Sequence, residues 1–347
     1  MRTETRIYPP QSSDLTPETE SVSIIIVVWN AKKYVLECLE SLREHCANLN
    51  PEVVVVDNCS TDGTPEMVAE MFPEFRLIRN PENYGFAKAN NIGIAQSSGK
   101  YVCLVNSDVK FLDDCISRIL DCLRSNPEVA MVGPQMLLTT GGVGRSTMRF
   151  PTVWNYFCRA VGLDILFRKS RFFGGFLMSD FDHQTTRPVE VLNGWFMVAR
   201  REAIQRVGLL DSQFFMYGED IDWCYRFHQS GEQIVFFAGA GAIHYGGASS
   251  SSARIRFYLE MCRADLQLWR KHHGWFGGVA FLAILTIHHM VRLVGMSLTY
   301  VVRPSRREST LLKLKRSLAT LEWLVTPTHH TAEKKAQPTR HSESPAA

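Results

Sequence analysis

The sequence has no C-x-x-C pair, no apolar segment at its start, no internal repeat and almost no net charge. Each absence closes off a class. Nine cysteines scattered without zinc-ligand spacing point to buried, reduced thiols rather than a disulfide scaffold or a metal knuckle. Residues 1–20 are polar and carry Pro9, Pro10 and Pro17, so they read as a disordered lead-in and not as a secretory signal. A formal charge of +3 leaves no electrostatic footprint for a nucleic-acid partner. There is no Walker A pattern, and Gly141-Gly142-Val143-Gly144 lacks the strand–turn–helix setting of a dinucleotide fingerprint. A mean hydropathy of −0.09 excludes a polytopic membrane protein and leaves room for one local membrane contact.

What is present is the composition of a globular chain: 347 residues, 45% hydrophobic and 21% charged. That length supports one large domain or two smaller ones. Val22–Val28 is a near-continuous apolar run rich in β-branched residues, the pattern of a strand covered on both faces. Val53–Val56, Phe75–Ile78, Tyr101–Val105 and Val129–Val132 repeat it. Between these runs lie stretches of helical spacing at 31–45, 61–72, 86–96 and 113–125. Strands alternating with helices predict an α/β fold with a mostly parallel central sheet. The pattern breaks over 134–188, which is rich in Gly, Arg and aromatics. Beyond it the spacing predicts a strand or hairpin at 189–200, helices at 201–207 and 219–229, a strand at 234–237 and an amphipathic helix at 253–271.

Three acidic residues stand at or just after strand ends, the edge where open α/β sheets bind ligands: Asp57, Asp108 and Asp220. At this point the chain resembles a family 2 glycosyltransferase of the GT-A fold, in its rhamnosyltransferase-like branch. The matching segments are VSIIIVVWN at 22–30, VVDNCSTDG at 55–63, NPENYGFAKANN at 80–91, LVNSD at 104–108, NGWFMV at 193–198, FFMYGEDIDWCYR at 214–226 and HYGGAS at 244–249. They occur in the family's order and span about 22–273.

The resemblance implies a site. Backbone around Val28, Trp29 and Asn30, together with the Asp57 carboxylate, would hold the donor's base. A carboxylate accepts the N3–H of uracil or thymine, which cytosine and adenine lack. Asn83, Gly85 and Lys88 would add donor contacts at a helix start, where Gly85 permits a positive φ or close approach. Lys88 reads equally well as a solvated helix residue. Asn106-Ser107-Asp108 stands where the family has D-x-D, leaving Asp108 to bridge Mg²⁺ or Mn²⁺ to the donor diphosphate, with His244 as a second ligand. Asp220 would be the catalytic base of an inverting displacement. Its neighbours Glu219 and Asp222 raise a carboxyl pKa, whereas the helix start lowers it. Gly194, Trp195 and Glu219 would face the acceptor, Trp195 reading equally as an aromatic core residue. Asn90, Asn91, Arg263 and Lys271 are further candidates near the donor, and Arg226 pairs most simply with Asp222. The processive-type Q-x-x-R-W string is absent.

The C-terminus is uneven. Phe276–Val302 is largely apolar but interrupted by His288, His289 and Arg292, which favours an interfacial helix or hairpin over a single span. Arg303, Arg306, Arg307, Lys313, Lys315 and Arg316 follow, a cluster suited to an anionic cytoplasmic leaflet. The expected organisation is a disordered lead-in at 1–20 and a GT-A catalytic domain at 21–273. Within that domain 21–133 would bind the nucleotide-sugar and 134–273 the acceptor. A membrane-associating region follows at 274–326, then a disordered tail at 327–347. The expected protein transfers a sugar, rhamnose among the candidates, from a dTDP- or UDP-sugar. The acceptor would be a saccharide, polyprenyl-diphosphate-linked or polymeric, in bacterial envelope polysaccharide synthesis. It would work at the inner face of the cytoplasmic membrane, without nucleic acid. The competing readings are a sugar-nucleotide nucleotidyltransferase and a non-catalytic nucleotide-sugar-binding protein at the membrane.

Overall fold

The computed structural model describes residues 21–247, 253–303, 305 and 307–326. The lead-in at 1–20 and the tail at 327–347 lie outside the described residues. In chain order the strands are β1 (Val22–Val28), β2 (Glu52–Asp57), β3 (Arg76–Arg79), β4 (Tyr101–Asn106), β5 (Val109–Lys110) and β6 (Val129–Leu137). They continue as β7 (Thr147–Met148), β8 (Arg187–Pro188), β9 (Val191–Leu192), β10 (Phe196–Arg200) and β11 (Gln233–His244).

The main sheet runs β3-β2-β1-β4-β10-β6-β11-β5, with β8 against β11, and β7 and β9 form a separate pair. The first four strands are parallel, as the alternation of strands and helices predicts. β10 enters antiparallel to both β4 and β6, and β6 and β11 are again parallel. The β-branched runs explain the centre. Ile24, Ile26 and Val28 point into one core, with Val35, Leu39, Ile116 and Ile119 from the helices on that face. Ile25 points into the other, with Ala87, Ile94 and Phe227. Each such fully buried Val or Ile contributes about 1.5–3 kcal/mol relative to exposure.

Register sets the working edge. Val28 pairs with Asp57, and Val27 with Asn106, so the ends of β2 and β4 flank the end of β1. β11 runs on past the expected 234–237 to His244, across a register shift between Phe237 and Gly241. The helix expected to end at Lys271 continues, broken only at Gly274 (φ 66°, ψ −162°), from Arg254 to Val302. Among the described residues it is the one helix long and apolar enough to cross a membrane, by length and composition. The chain divides into two compact units after Ile284, the second holding the helix Arg307–Val325.

Candidate active site

Asp57 closes β2 and is buried. Its Oδ2 accepts from the Ser60 amide at 3.0 Å, while Oδ1 is buried without a hydrogen-bond partner among the described residues. A buried carboxylate oxygen left unpaired is costly and marks a place for a donor from outside the chain. The loop beside it is built by its own side chains. Asn30 (φ 47°) accepts from the Thr61 amide at 2.8 Å and donates its own amide to Ser60 Oγ at 2.9 Å. Asp62 accepts from the Lys32 and Thr64 amides at 3.0 and 3.1 Å, joining the starts of two helices. The Val28 carbonyl accepts from the Asn58 amide at 2.9 Å. Asn30 and the Val28 carbonyl therefore shape the pocket through internal bonds. Trp29 meets Phe257 edge-on at 6.5 Å and lines a cleft with Asn83, Phe215 and Met216.

The start of the helix Gly85–Ala95 corrects one expectation. Its first two amides are already engaged and not open to an anion. The Gly85 amide donates to Asn83 Oδ1 at 2.9 Å and the Phe86 amide to the Phe215 carbonyl at 2.6 Å. Gly85 has φ +78°, and a Cβ there would stand 2.1 Å from the Phe215 oxygen. Both reasons for glycine hold at once. Gly85→Ala is expected to cost about 2–5 kcal/mol of stability, from backbone strain plus the clash, read in urea unfolding. A loss below about 1 kcal/mol would show that the contact is soft. Lys88 lies over the Tyr84 ring at 3.5 Å. Asn90 and Asn91 hold backbone, Asn90 at the Phe86 carbonyl and Asn91 at both the amide and the carbonyl of Leu210, so neither faces a donor.

The second cluster forms where β4 and β11 end and β10 begins. His244 Nε2 lies 3.1 Å from Asp108 Oδ1 and 3.4 Å from Asn106 Nδ2. The Tyr245 amide donates to the Asp108 carbonyl, and the Asn106 amide to the Trp195 carbonyl. Trp195 is only 3% exposed and its ring stacks on the His244 imidazole at 5.3 Å. The core alternative holds for Trp195: it fixes the imidazole and is not an open platform for a sugar face. Among the described residues no three His, Cys, Asp or Glu side chains gather as a metal cage. Asp108 and His244 suit a divalent cation that takes its remaining ligands from a donor diphosphate and water, and the buried, unpartnered Asn106 Oδ1 beside them is a further oxygen.

Asp220 is the second residue of the helix Glu219–Gln229, which starts after Gly218 (φ 78°). Its Oδ2 accepts from the Gly194 amide at 3.0 Å, so the Asn193-Gly194-Trp195 link between β9 and β10 joins the base candidate to the metal-ligand candidates. Burial raises the Asp220 pKa, opposed by the Gly194 and Ile221 amides. Glu219 is buried with Oε2 unpartnered among the described residues, and burial, then the Asp220 charge, push its carboxyl well up.

Asp222 is different. Its carboxyl has no solvent exposure, yet it receives Arg226 Nε at 2.9 Å, His272 Nε2 at 2.8 Å and Lys271 Nζ at 2.7 Å. Burial alone would raise its pKa, but the bonds from His272, Lys271 and Arg226 win and hold it at about 2. The Arg226 pair is the one expected. Lys271, also on Asp211 at 2.6 Å, is thereby engaged away from a diphosphate, and Arg263 pairs with Glu260 at 2.7 Å. Sequence reasoning missed this clamp, because His272 and Lys271 stand about fifty positions from Asp222. It also missed the buried pair Asn58 and Asn80, which ties β2 to the Gly85 carbonyl.

Residues 23–207 match the model of glycosyl transferase family 2. The chain is 28% identical over 271 residues to N-acetylglucosaminyl-diphospho-decaprenol L-rhamnosyltransferase of Mycobacterium tuberculosis (strain ATCC 25618 / H37Rv), across 74% of this chain and 87% of that one. It is 30% identical over 142 residues to the succinoglycan biosynthesis protein ExoO of Rhizobium meliloti (strain 1021), 41% of this chain and 39% of that one. Among solved structures it resembles the mannosyltransferase PcManGT from Pyrobaculum calidifontis in complex with GDP-Man and Mn²⁺. The TM-score is 0.52 and the identity 17%, over 88% of each chain, a likeness of fold.

Proposed function

Because this chain belongs to glycosyl transferase family 2, we propose that it catalyses inverting transfer of a sugar from a dTDP- or UDP-sugar to a polyprenyl-diphosphate-linked saccharide. The observation that carries this is the convergence of Asp57, Asp108, His244 and Asp220 at one edge of the sheet. Rhamnose is the lead donor sugar, and the lipid-linked acceptor follows, because both are named for the relative matched over 87% of its length.

In this reading Asp57 Oδ1, buried and otherwise unpaired, accepts the N3–H of the base. Asp108 and His244 hold Mg²⁺ or Mn²⁺, which when bound neutralises charge on the departing diphosphate. Asp220 takes the proton of the acceptor hydroxyl as that oxygen bonds to the anomeric carbon and the bond to the diphosphate breaks on the opposite face. Glu219 and Gly194 border the acceptor side of Asp220. The acidic trio also argues against a nucleotidyltransferase, which has no use for a base beside an acceptor.

Residues 274–326 are proposed to lie against the inner face of the cytoplasmic membrane. Trp275 and Phe276, 71% and 80% exposed just after the Gly274 break, support a membrane contact there. The catalytic domain at 21–273 precedes this segment.

The test is thermal stabilisation by dTDP, UDP and GDP with Mn²⁺, followed by transfer assays with the nucleotide that binds. Saturation at a hundred times Kd adds roughly 2.7 kcal/mol of stability. Stabilisation by GDP alone would reject the reading of the base. Asp57→Ala is expected to weaken dTDP or UDP binding about 10–100-fold, the loss of a hydrogen bond to a charged acceptor, while CDP, whose base lacks that N–H, binds wild type and variant equally weakly. Unchanged affinity by titration calorimetry would remove Asp57 from the base site.

A further inference from the structure

The stretch 151–181, unreadable from periodicity, folds into a lobe with an uncovered apolar surface. The helix Val153–Val161 is followed by the turn of helix Leu163–Leu166. Ile165 and Leu166 are 70% and 72% exposed, and Phe172 is 63% exposed. These are not scattered side chains. Trp154 packs on Phe172 at 4.9 Å and donates its indole N–H to the Phe172 carbonyl at 3.0 Å. Phe167 and Phe172 each pack on Phe173, at 4.8 and 5.1 Å. The rings thus form one platform that remains in solvent, the kind of patch that marks a binding surface.

Charge says what fits it. The exposed charged residues between 153 and 173 are all basic, Arg159, Arg168, Lys169 and Arg171, while Asp164 is half-buried and Asp180, at the far end of the lobe, is paired with Arg149 at 3.1 Å. Arg168, Lys169 and Arg171 form no ion pair among the described residues. Apolar side chains with an aromatic rim and free cations beside them match the interface of an anionic bilayer. The lobe is also firmly seated. Tyr156 packs against Trp269 and Phe281 at 5.4 and 6.1 Å. Phe150 meets Tyr225, on the helix that carries Asp220, at 5.1 Å.

We infer that this lobe, centred on Ile165, Leu166 and Phe172 and flanked by Arg168, Lys169 and Arg171, is a second membrane contact, which dips into an anionic bilayer surface from the catalytic unit itself. It extends the membrane reading made above for 274–326 and does not depend on that segment. The occupant is lipid, not a second copy of the chain or a protein partner.

The experiment places a nitroxide at Ile165→Cys in the full chain carrying Cys59→Ser, since the other eight cysteines are buried. Vesicles are equimolar phosphatidylcholine and phosphatidylglycerol. On binding, the label is expected to gain accessibility to oxygen and lose accessibility to a water-soluble nickel chelate. A label at exposed Glu70 is expected to keep its solution behaviour. Reversing Arg168, Lys169 and Arg171 to Glu is expected to weaken binding to these vesicles by at least about fivefold per residue, and to leave pure phosphatidylcholine unaffected. The inference fails if the label stays water-accessible on bound chain, if the chain does not bind the vesicles, or if spin–spin coupling shows the lobe covered by a second copy in solution. Asp220→Asn run alongside separates the two readings: loss of transfer with the depth signal retained concerns the catalytic assignment alone.

Discussion

Asp220→Asn should abolish transfer while leaving nucleotide binding and folding intact. Removing a positioned general base costs about 10²–10⁴ in rate, and here neither carboxylate beside Asp220 in the same helix turn can substitute. Asp222 is closed off by Arg226, Lys271 and His272. Glu219 is buried, and its carboxyl is held well above the usual carboxylate range. The variant should be no less stable at neutral pH. The sign follows from linkage: a carboxyl whose pKa is raised by folding binds more protons in the native state, so stability falls as pH climbs from the unfolded pKa to the folded one. Asparagine removes that penalty and still offers an oxygen to the Gly194 amide. Urea unfolding at pH 7 checks this. In the wild type the acidic limb of kcat/KM should lie above the ordinary aspartate value of about 4, because the deprotonated form is the active one and burial raises the pKa. Transfer by the Asn variant within tenfold of wild type would remove Asp220 as the base.

The legibility of this fold followed the physics of each segment. β1, β2 and β4 were readable because parallel strands buried on both faces have no polar alternation to confuse them. The helix Glu219–Gln229 was readable to its bounds, since a glycine at its N-cap and acids in its first turn are local signals. β11 beyond Phe237 was not, because Ala238–Ala240 carry no strand preference and fall in a register shift without partners on β6, held instead by the Thr186 hydroxyl and the Arg118 guanidinium. The lobe at 151–181 is ordered by ring contacts and glycine turns, which no period encodes. The same division runs through the site. Asp57, Asp108 and Asp220 could be found because strand ends and helix starts are visible in sequence. That Trp195 stacks on His244, and that Lys271 belongs to Asp222, depends on chain segments that meet only after folding.

Asp108→Ala should remove cation-dependent donor binding and lower kcat/KM by about 10²–10³, on the scale of lost charge stabilisation in a shielded site. The geometry makes this residue the harder of the two proposed ligands to replace. His244 is fixed from three sides: by β11, by the stacked Trp195 ring and by Asp108 itself. Without the carboxylate the imidazole keeps its place but a lone neutral nitrogen is a poor match for Mg²⁺, which prefers oxygen ligands. His244→Ala should therefore be milder with Mg²⁺ than with Mn²⁺, whereas Asp108→Ala should be severe with both. Stabilisation by dTDP or UDP without any cation should be the same in all three proteins, because Asp57 and the base pocket are untouched. Nucleotide stabilisation that responds to Mn²⁺ in Asp108→Ala as it does in the wild type would place the cation elsewhere. Loss of the cation-free signal in that variant would instead report a collapsed edge, since the contact that the substitution removes from the fold is the one from the Asp108 carboxylate to the His244 ring.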